Sequence, residues 1–238
     1  LFVAGMHMNS LYGATIDEIR KNGFKNIYPF INHDSIDNMD RTLAKTIDGF
    51  SHFIAEIQPD LIVVHGDRVE AMAGAITGSL NNILVAHIEG GEISGTIDEL
   101  IRHAVSKMSH IHLVANDEAK KRLIQLGELP CSIFILGSPD LDLMNPECLP
   151  SLLKVKKYYN IEFDQFSIAM MHPVTTEIEN TQKHAREFVD ALLESNDNYI
   201  VIYPNNDPGS YEILNEYDRL KNNKKIRIFP SLRFEYFL

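Results

Sequence analysis

The chain has little cysteine, no basic stripe and no long apolar run, and each shortage removes a class of protein. Two cysteines in 238 residues, Cys131 and Cys148, do not form a short metal-type pair, and sparse thiols fit a reducing cytoplasm. The formal net charge of −11, with only "KNNKK" (221–225) as a basic run, excludes the electrostatic footprint of a nucleic-acid binder. That run reads as a solvated helix end. No apolar stretch approaches the roughly 18 residues of a membrane helix, so no membrane partner is expected. The motifs G-x-G-x-x-G, P-loop, H-E-x-x-H and G-x-S-x-G are all missing, which leaves dinucleotide, ATP, zinc and serine-nucleophile chemistry without support. The His and Asp residues show no tight ligand spacing, so no metal site is expected.

What the chain does contain is an alternation of short β-rich runs and helix-length segments. The strand-like runs are 1–5, 61–66, 83–88, 111–115, 132–137, 166–171, 199–204 and 226–230. Between them lie helical segments at 37–57, 68–80, 97–109, 117–127, 180–195 and 210–222, with Thr96 and Asn116 as plausible caps. Strands without strict alternation, separated by helices, predict a parallel sheet covered on both faces, the doubly wound α/β class. A break near 145–163, with two prolines and no strand, divides the chain. Residues 1–163 are expected to form a Rossmann-like domain, and 164–238 the start of a second, incomplete one. The chain opens on Leu1 rather than Met, directly in an apolar run, and is expected to begin inside a domain.

In open α/β sheets, ligands bind beyond the carboxyl ends of the strands. The residues there are strongly polar. His7 follows the first run, and His65, Asp67 and Arg68 follow the second. His87, Glu89, Gly90, Gly91 and Glu92 end the third. His172 and Thr175 follow "FSIAMM", and Asn205, Asn206 and Asp207 follow "YIVIY". The ionisable groups gather on one rim, which implies a cleft that both domains line.

Plain structural readings stand beside the functional ones. Asp67 could cap the next helix, and Arg68 could pair with Asp67 or Glu70. His87, inside an apolar run, reads as a packed, hydrogen-bonded histidine. His110 and His112 alternate across a strand and read as structural. Gly90 and Gly91 permit a tight turn or a close backbone approach to a ligand. Asp98 and Glu99 open a helix, where acids suit the dipole, while the i,i+4 pairs Asp98–Arg102 and Glu99–His103 place these side chains on a helix flank. For Asp98 and Glu99 the cap and the catalyst remain equally good readings.

The stretches "VVHGDRVEAMA", "HIEGGEISGTIDELIRHAVSKMSH", "HPVTTE" and "YPNNDPGS" resemble the hydrolysing UDP-N-acetylglucosamine 2-epimerases of sialic acid synthesis, in order and over essentially the whole chain. The resemblance implies a GT-B-like fold, two Rossmann-like domains with a nucleotide sugar between them. It implies conversion of UDP-N-acetylglucosamine and water to N-acetylmannosamine and UDP without NAD or metal, in a cytoplasmic homo-oligomer, dimer or tetramer. Carried over by position, Asp67, Glu89 and Asp98 or Glu99 fall on acidic positions of the chemistry, and His172 and Asn205 on positions from the second domain. Arg68 and His7 match positions lining the sugar-diphosphate pocket, and Glu92 is a further substrate-binding candidate. The resemblance also implies segments outside these residues. An arginine-containing loop would come before them; a serine-rich phosphate loop and a ribose-holding glutamate would come after. A sister family acting on UDP-diacetylbacillosamine and the GT-B glycosyltransferases are the competing readings.

Overall fold

A computed structural model describes residues 1–32 and 38–238. Two compact units divide the chain: Leu1–Gly5 with Asn26–Asp142, and Met6–Lys25 with Leu143–Leu238. The sequence reading instead draws its boundary at 163 and keeps residues 6–25 in the first domain.

The first unit holds a two-stranded parallel pair, β1 (Phe2–Val3) with β2 (Tyr28–Pro29). It also holds a four-stranded parallel sheet of β3 (Leu61–His65), β4 (Leu84–Ile88), β5 (Ile111–Val114) and β6 (Ile133–Ile135), in that spatial order. Helices α2 (Met39–Ile57), α3 (Val69–Leu80), α4 (Ile97–Lys107) and α5 (Asp117–Gln125) belong to the same unit, while α1 (Ile16–Lys21) belongs to the second. The expected helix 37–57 is thus seen as Met39–Ile57, its first residue lying outside the described residues.

Strand order equal to chain order fixes where these helices can go. Right-handed crossovers between successive parallel strands all fall on one face of the sheet. That face carries Ile62, Val64, Val85, His87, His112, Val114 and Ile133, all buried. Ile62, Val64 and Val85 pack with Val69, Ala71 and Ala75 of α3 and with Ile101 and Val105 of α4. Val114 and Ile133 pack with Ala119 and Leu123 of α5. Gly78 lets α3 lie close, since a Cβ there would stand 2.5 Å from Val85 Cγ2. The opposite face leaves Leu61, Val63, Leu84 and Phe134 exposed. The expectation of two covered faces is therefore met on one face of this sheet among the described residues. Burial in β3 alternates strictly, as a half-covered strand requires.

The second unit is built on the parallel sheet β7 (Ser167–Met170), β8 (Tyr199–Ile202) and β9 (Ile226–Phe229). Helices α7 (Thr181–Ser195) and α8 (Ser210–Tyr217) cover one face, with Ala185, Val189, Ile213 and Tyr217 packed on Val201 and Ile226. α6 (Leu152–Tyr159) forms inside the stretch read as a break, started by Ser151, whose side chain accepts from the Lys154 N–H. The short α9 (Phe234–Phe237) follows β9. Residues 6–25 are tied into this unit by specific bonds. The Tyr12 and Ser210 hydroxyls are 3.0 Å apart, and Arg233 Nε lies 3.1 Å from the Glu18 carboxylate. A sequence pattern does not carry such long-range ties. No helix among the described residues is long and apolar enough to cross a membrane.

Candidate functional site

The carboxyl edge of the first sheet gathers the polar residues expected there. β3 ends at His65, Gly66 turns the chain with φ +72°, and Asp67 and Arg68 precede α3. Asp67 does not cap that helix. Arg68 occupies the cap position, without a side-chain capping bond, and the Asp67 carboxylate accepts from Arg102 Nη2 of α4. Arg102 also donates through Nη1 to the Glu92 carbonyl at 3.2 Å and to Ser94 Oγ at 3.4 Å. One guanidinium thus ties the end of β3 to the loop after β4, in a position with little solvent contact. The anticipated i,i+4 partner of Arg102, Asp98, bonds instead with Thr96 Oγ1 at 3.0 Å. Glu70, the other acid weighed for Arg68, accepts from Asn32 Nδ2 at 2.9 Å.

Glu89 follows β4 directly. Its N–H donates to the Leu113 carbonyl at 2.9 Å, and its φ of +65° puts a non-glycine residue in the left-handed region. Such a backbone costs on the order of 1–3 kcal/mol and persists only where the surroundings impose it. The side chain is held at both oxygens: His65 Nε2 lies 2.8 Å from Oε2, and the Ser138 hydroxyl donates to Oε1 at 3.2 Å. Glu92 accepts from Asn116 Nδ2 at 3.1 Å. Glu99, three residues after the Thr96 cap, reaches back to accept the Ser94 N–H at 2.7 Å and lies 3.9 Å from His103. Its carboxylate is engaged in closing the loop that leads into α4, the arrangement of a capping acid.

The glycines in this loop serve the chain's own packing. A Cβ on Gly91 would stand 2.5 Å from the Ala119 carbonyl, and one on Gly90 would stand 2.8 Å from Ser106 Oγ. The expected close approach is to α5 and α4; nothing in it requires a ligand.

His87 is fully buried, with Nε2 2.9 Å from the Gly66 carbonyl and Nδ1 3.0 Å from Ser106 Oγ. A carbonyl only accepts, so Nε2 carries the proton and Nδ1 accepts from the serine. Burial disfavours the charged ring and pushes its pKa down to about 4, against the opposing effect of the Gly66 bond. His112 is also buried, 3.2 Å from Glu128, and burial lowers its pKa as well. His110 Nδ1 accepts the Val85 N–H at 3.1 Å. Each of the three is thus engaged within the first unit: His87 with the turn after β3 and with α4, His112 with the loop after α5, and His110 with β4.

In the second unit, His172 follows β7 and its Nδ1 accepts the Asn205 N–H at 3.1 Å, which leaves Nε2 as the protonated, donating nitrogen of the neutral ring. Asn205 bonds onward to the Asp207 carboxylate. His7 lies in this unit and pairs with Thr15 Oγ1 at 2.8 Å. His172, Asn205 and Thr15 stand on the wall of a cavity of about 280 Å³ whose remaining lining is largely apolar, including Tyr12, Ile202 and Phe237.

Two further residues, Arg102 and Ser138, join this geometry beside His65, which already stood on the expected rim. Ser138 follows β6 at the same sheet edge, so the strand-end rule would have found it; Arg102 was visible only as a partner for Asp98.

Comparison with known proteins identifies the family. The family model of UDP-N-acetylglucosamine 2-epimerase matches residues 1–238. The chain belongs to the UDP-N-acetylglucosamine 2-epimerase family. It is 49% identical over 238 residues to a UDP-N-acetylglucosamine 2-epimerase of Neisseria meningitidis, covering all of this chain and 63% of that protein. It is 35% identical over 241 residues to the UDP-N,N'-diacetylbacillosamine 2-epimerase (hydrolyzing) of Legionella pneumophila, covering 99% of this chain and 64% of that one. The chain therefore spans a little under two thirds of these relatives. A crystal structure of a Neisseria meningitidis UDP-GlcNAc 2-epimerase bound to UDP-GlcNAc superposes with a TM-score of 0.65 at 14% identity, covering 99% of this chain and 73% of that one. The fold of this epimerase family member is α/β with parallel sheets, of the GT-B-like class.

Proposed function

We propose that the protein is a hydrolysing 2-epimerase that converts UDP-N-acetylglucosamine and water to N-acetylmannosamine and UDP, as a step toward a sialic acid. The observation that carries this is the Glu89 carboxylate, fixed at both oxygens on a strained backbone at the end of β4, within a family of 2-epimerases. The C2 proton of the sugar lies beside no carbonyl, so its removal needs positive charge at C1. As the C1–O bond breaks, its electron pair leaves with UDP and C1 gains oxocarbenium character, which acidifies C2–H. A carboxylate stabilises that charge and takes the proton, leaving a 2-acetamidoglucal. Water then adds its hydroxyl at C1 while C2 receives a proton on the opposite face, giving the manno configuration.

Two carboxylates in different settings suit this double duty. Glu89 is assigned as one. Asp98 is assigned as the second, ahead of Glu99, one of whose oxygens accepts the Ser94 N–H that closes the loop while the other faces His103. Asp67 is assigned with Arg102 as a charge-balanced pair beside the reacting sugar, with Glu92 and Arg68 in substrate binding. His172, donating from Nε2, is assigned to an anionic or carbonyl oxygen of the substrate, with His7 and Asn205 in binding.

A second reading, a 2-epimerase of UDP-diacetylbacillosamine, is favoured by the 35% identity to the Legionella protein. The complete protein incubated with each nucleotide sugar in D₂O decides between them. UDP and N-acetylmannosamine bearing deuterium at C2 are expected from UDP-N-acetylglucosamine. Product retaining the original C2 hydrogen would eliminate the mechanism, because a hydride route returns that hydrogen. Turnover of the bacillosamine substrate alone would select the second reading, and a requirement for a sugar acceptor would select a glycosyltransferase.

A further inference from the structure

We propose that His65 and Ser138 are positioning residues that lock the Glu89 carboxylate into a single orientation. The inference rests on the catalytic role assigned above to Glu89. Three strand ends of one sheet supply the parts. His65 closes β3, Glu89 follows β4, and Ser138 lies just beyond β6. The parallel register sets His65 against Ile88, the residue before Glu89, so the imidazole is carried to the carboxylate by the sheet itself. A carboxylate accepts only, so His65 donates from Nε2 to Oε2 and Ser138 donates its hydroxyl proton to Oε1.

Rotation about the last torsion of a glutamate is soft, with broad, roughly two-fold wells. One donor on each oxygen, from opposite sides of the strand, removes that freedom and leaves the second lone pair of each oxygen for a substrate proton. Stability does not explain the arrangement. The side chains of His65 and Glu89 are 52% and 29% exposed, and a pair so open to solvent contributes about 0–1 kcal/mol. The left-handed backbone at Glu89 works against stability in the same place. A site that spends stability to aim one carboxylate has the character of a preorganised acid–base group, for which misplacement of about 1 Å costs roughly 10²-fold in rate. Neither His65 nor Ser138 has to touch the sugar; both act through Glu89.

The test uses the complete protein and the variants His65→Phe, His65→Gln, Ser138→Ala and Ser138→Thr, with UDP and N-acetylmannosamine release as the readout. His65→Phe and Ser138→Ala should each lower kcat about 10–100-fold with KM changed by less than about threefold, since only the aim of Glu89 is lost. His65→Gln, which keeps an N–H donor, and Ser138→Thr, which keeps the hydroxyl, should each recover most of that loss. A raised KM with kcat intact would make His65 a substrate-binding residue and overturn the proposal, as would equal kcat in His65→Phe and the parent protein. Crystal structures of the parent protein and of His65→Phe give a readout that needs no turnover. A Glu89 side chain ordered in the parent and displaced or split in the variant is expected. An unchanged Glu89 rotamer would overturn the positioning role. Absence of turnover in the parent protein overturns the assigned function instead, and the structural comparison still decides the clamp.

Discussion

Arg102 and Asp67 lie 35 residues apart in the chain and form one ion pair, with side chains only 11% and 24% exposed. The same guanidinium holds the Glu92 carbonyl and Ser94 Oγ, so the pair fixes the loop after β4 as well as the end of β3. Lysine cannot reproduce a planar fork that serves three acceptors. Arg102→Lys should therefore destabilise the protein by about 2 kcal/mol, below the full cost of breaking a deeply buried pair because Asp67 keeps some solvent. Urea denaturation of the two proteins measures it, and a change under about 0.5 kcal/mol would show that the fork is not used.

Glu89 should trade stability against activity. Its φ of +65° suits glycine and penalises every residue with a Cβ. Glu89→Gly should be more stable than Glu89→Ala by about 1 kcal/mol, although both lack the carboxylate. Equal denaturation midpoints would place the residue outside the left-handed region. Both variants should lose product formation by roughly 10²–10⁴-fold, the usual contribution of a general acid or base.

Gly91 should tolerate nothing larger. With φ +80° and a Cβ position 2.5 Å from the Ala119 carbonyl, Gly91→Ala must push α5 away from the loop. A loss of about 2–3 kcal/mol is expected, within the range of overpacking against backbone. Gly95→Ala is the control, since its Cβ would meet nothing within 4 Å and its cost should stay within about 1 kcal/mol.

Acid should weaken the fold through His87. The folded pKa of about 4 lies below the ordinary value of 6.5, so the unfolded chain binds the extra proton first. Stability is full above 6.5, falls as pH drops through the window from 6.5 to 4, and levels off below it. The lost contribution is on the order of 3 kcal/mol, at about 1.4 kcal/mol per unit. His112, shifted in the same direction by burial, adds to the slope. Unfolding free energies at pH 7, 5.5 and 4.5 give the slope, and His87→Gln should flatten it. A slope unchanged by that substitution would assign the acid sensitivity to other groups.

The sequence by itself determined the order of strands and helices, because periodicity, caps and β-branched runs are local properties. Strands 61–65, 84–88, 111–114 and 199–202 and the helices between them fall within a few residues of their expected positions. Local chemistry also pointed to structural readings of His110 and His112, because residues that alternate across a strand cannot share a ligand on one face. Tertiary structure alone decided three other matters. Residues 6–25 joined the second unit through Tyr12, Gly13 and Glu18, whose partners lie some two hundred residues away. The helices of the first unit fell on one face, a consequence of strand order in space that no run of residues encodes. Arg102 chose Asp67 over its helical neighbour Asp98, and Glu89 found His65 and Ser138. Pair distances across a sheet edge depend on register and crossover, which arise only when the strands assemble.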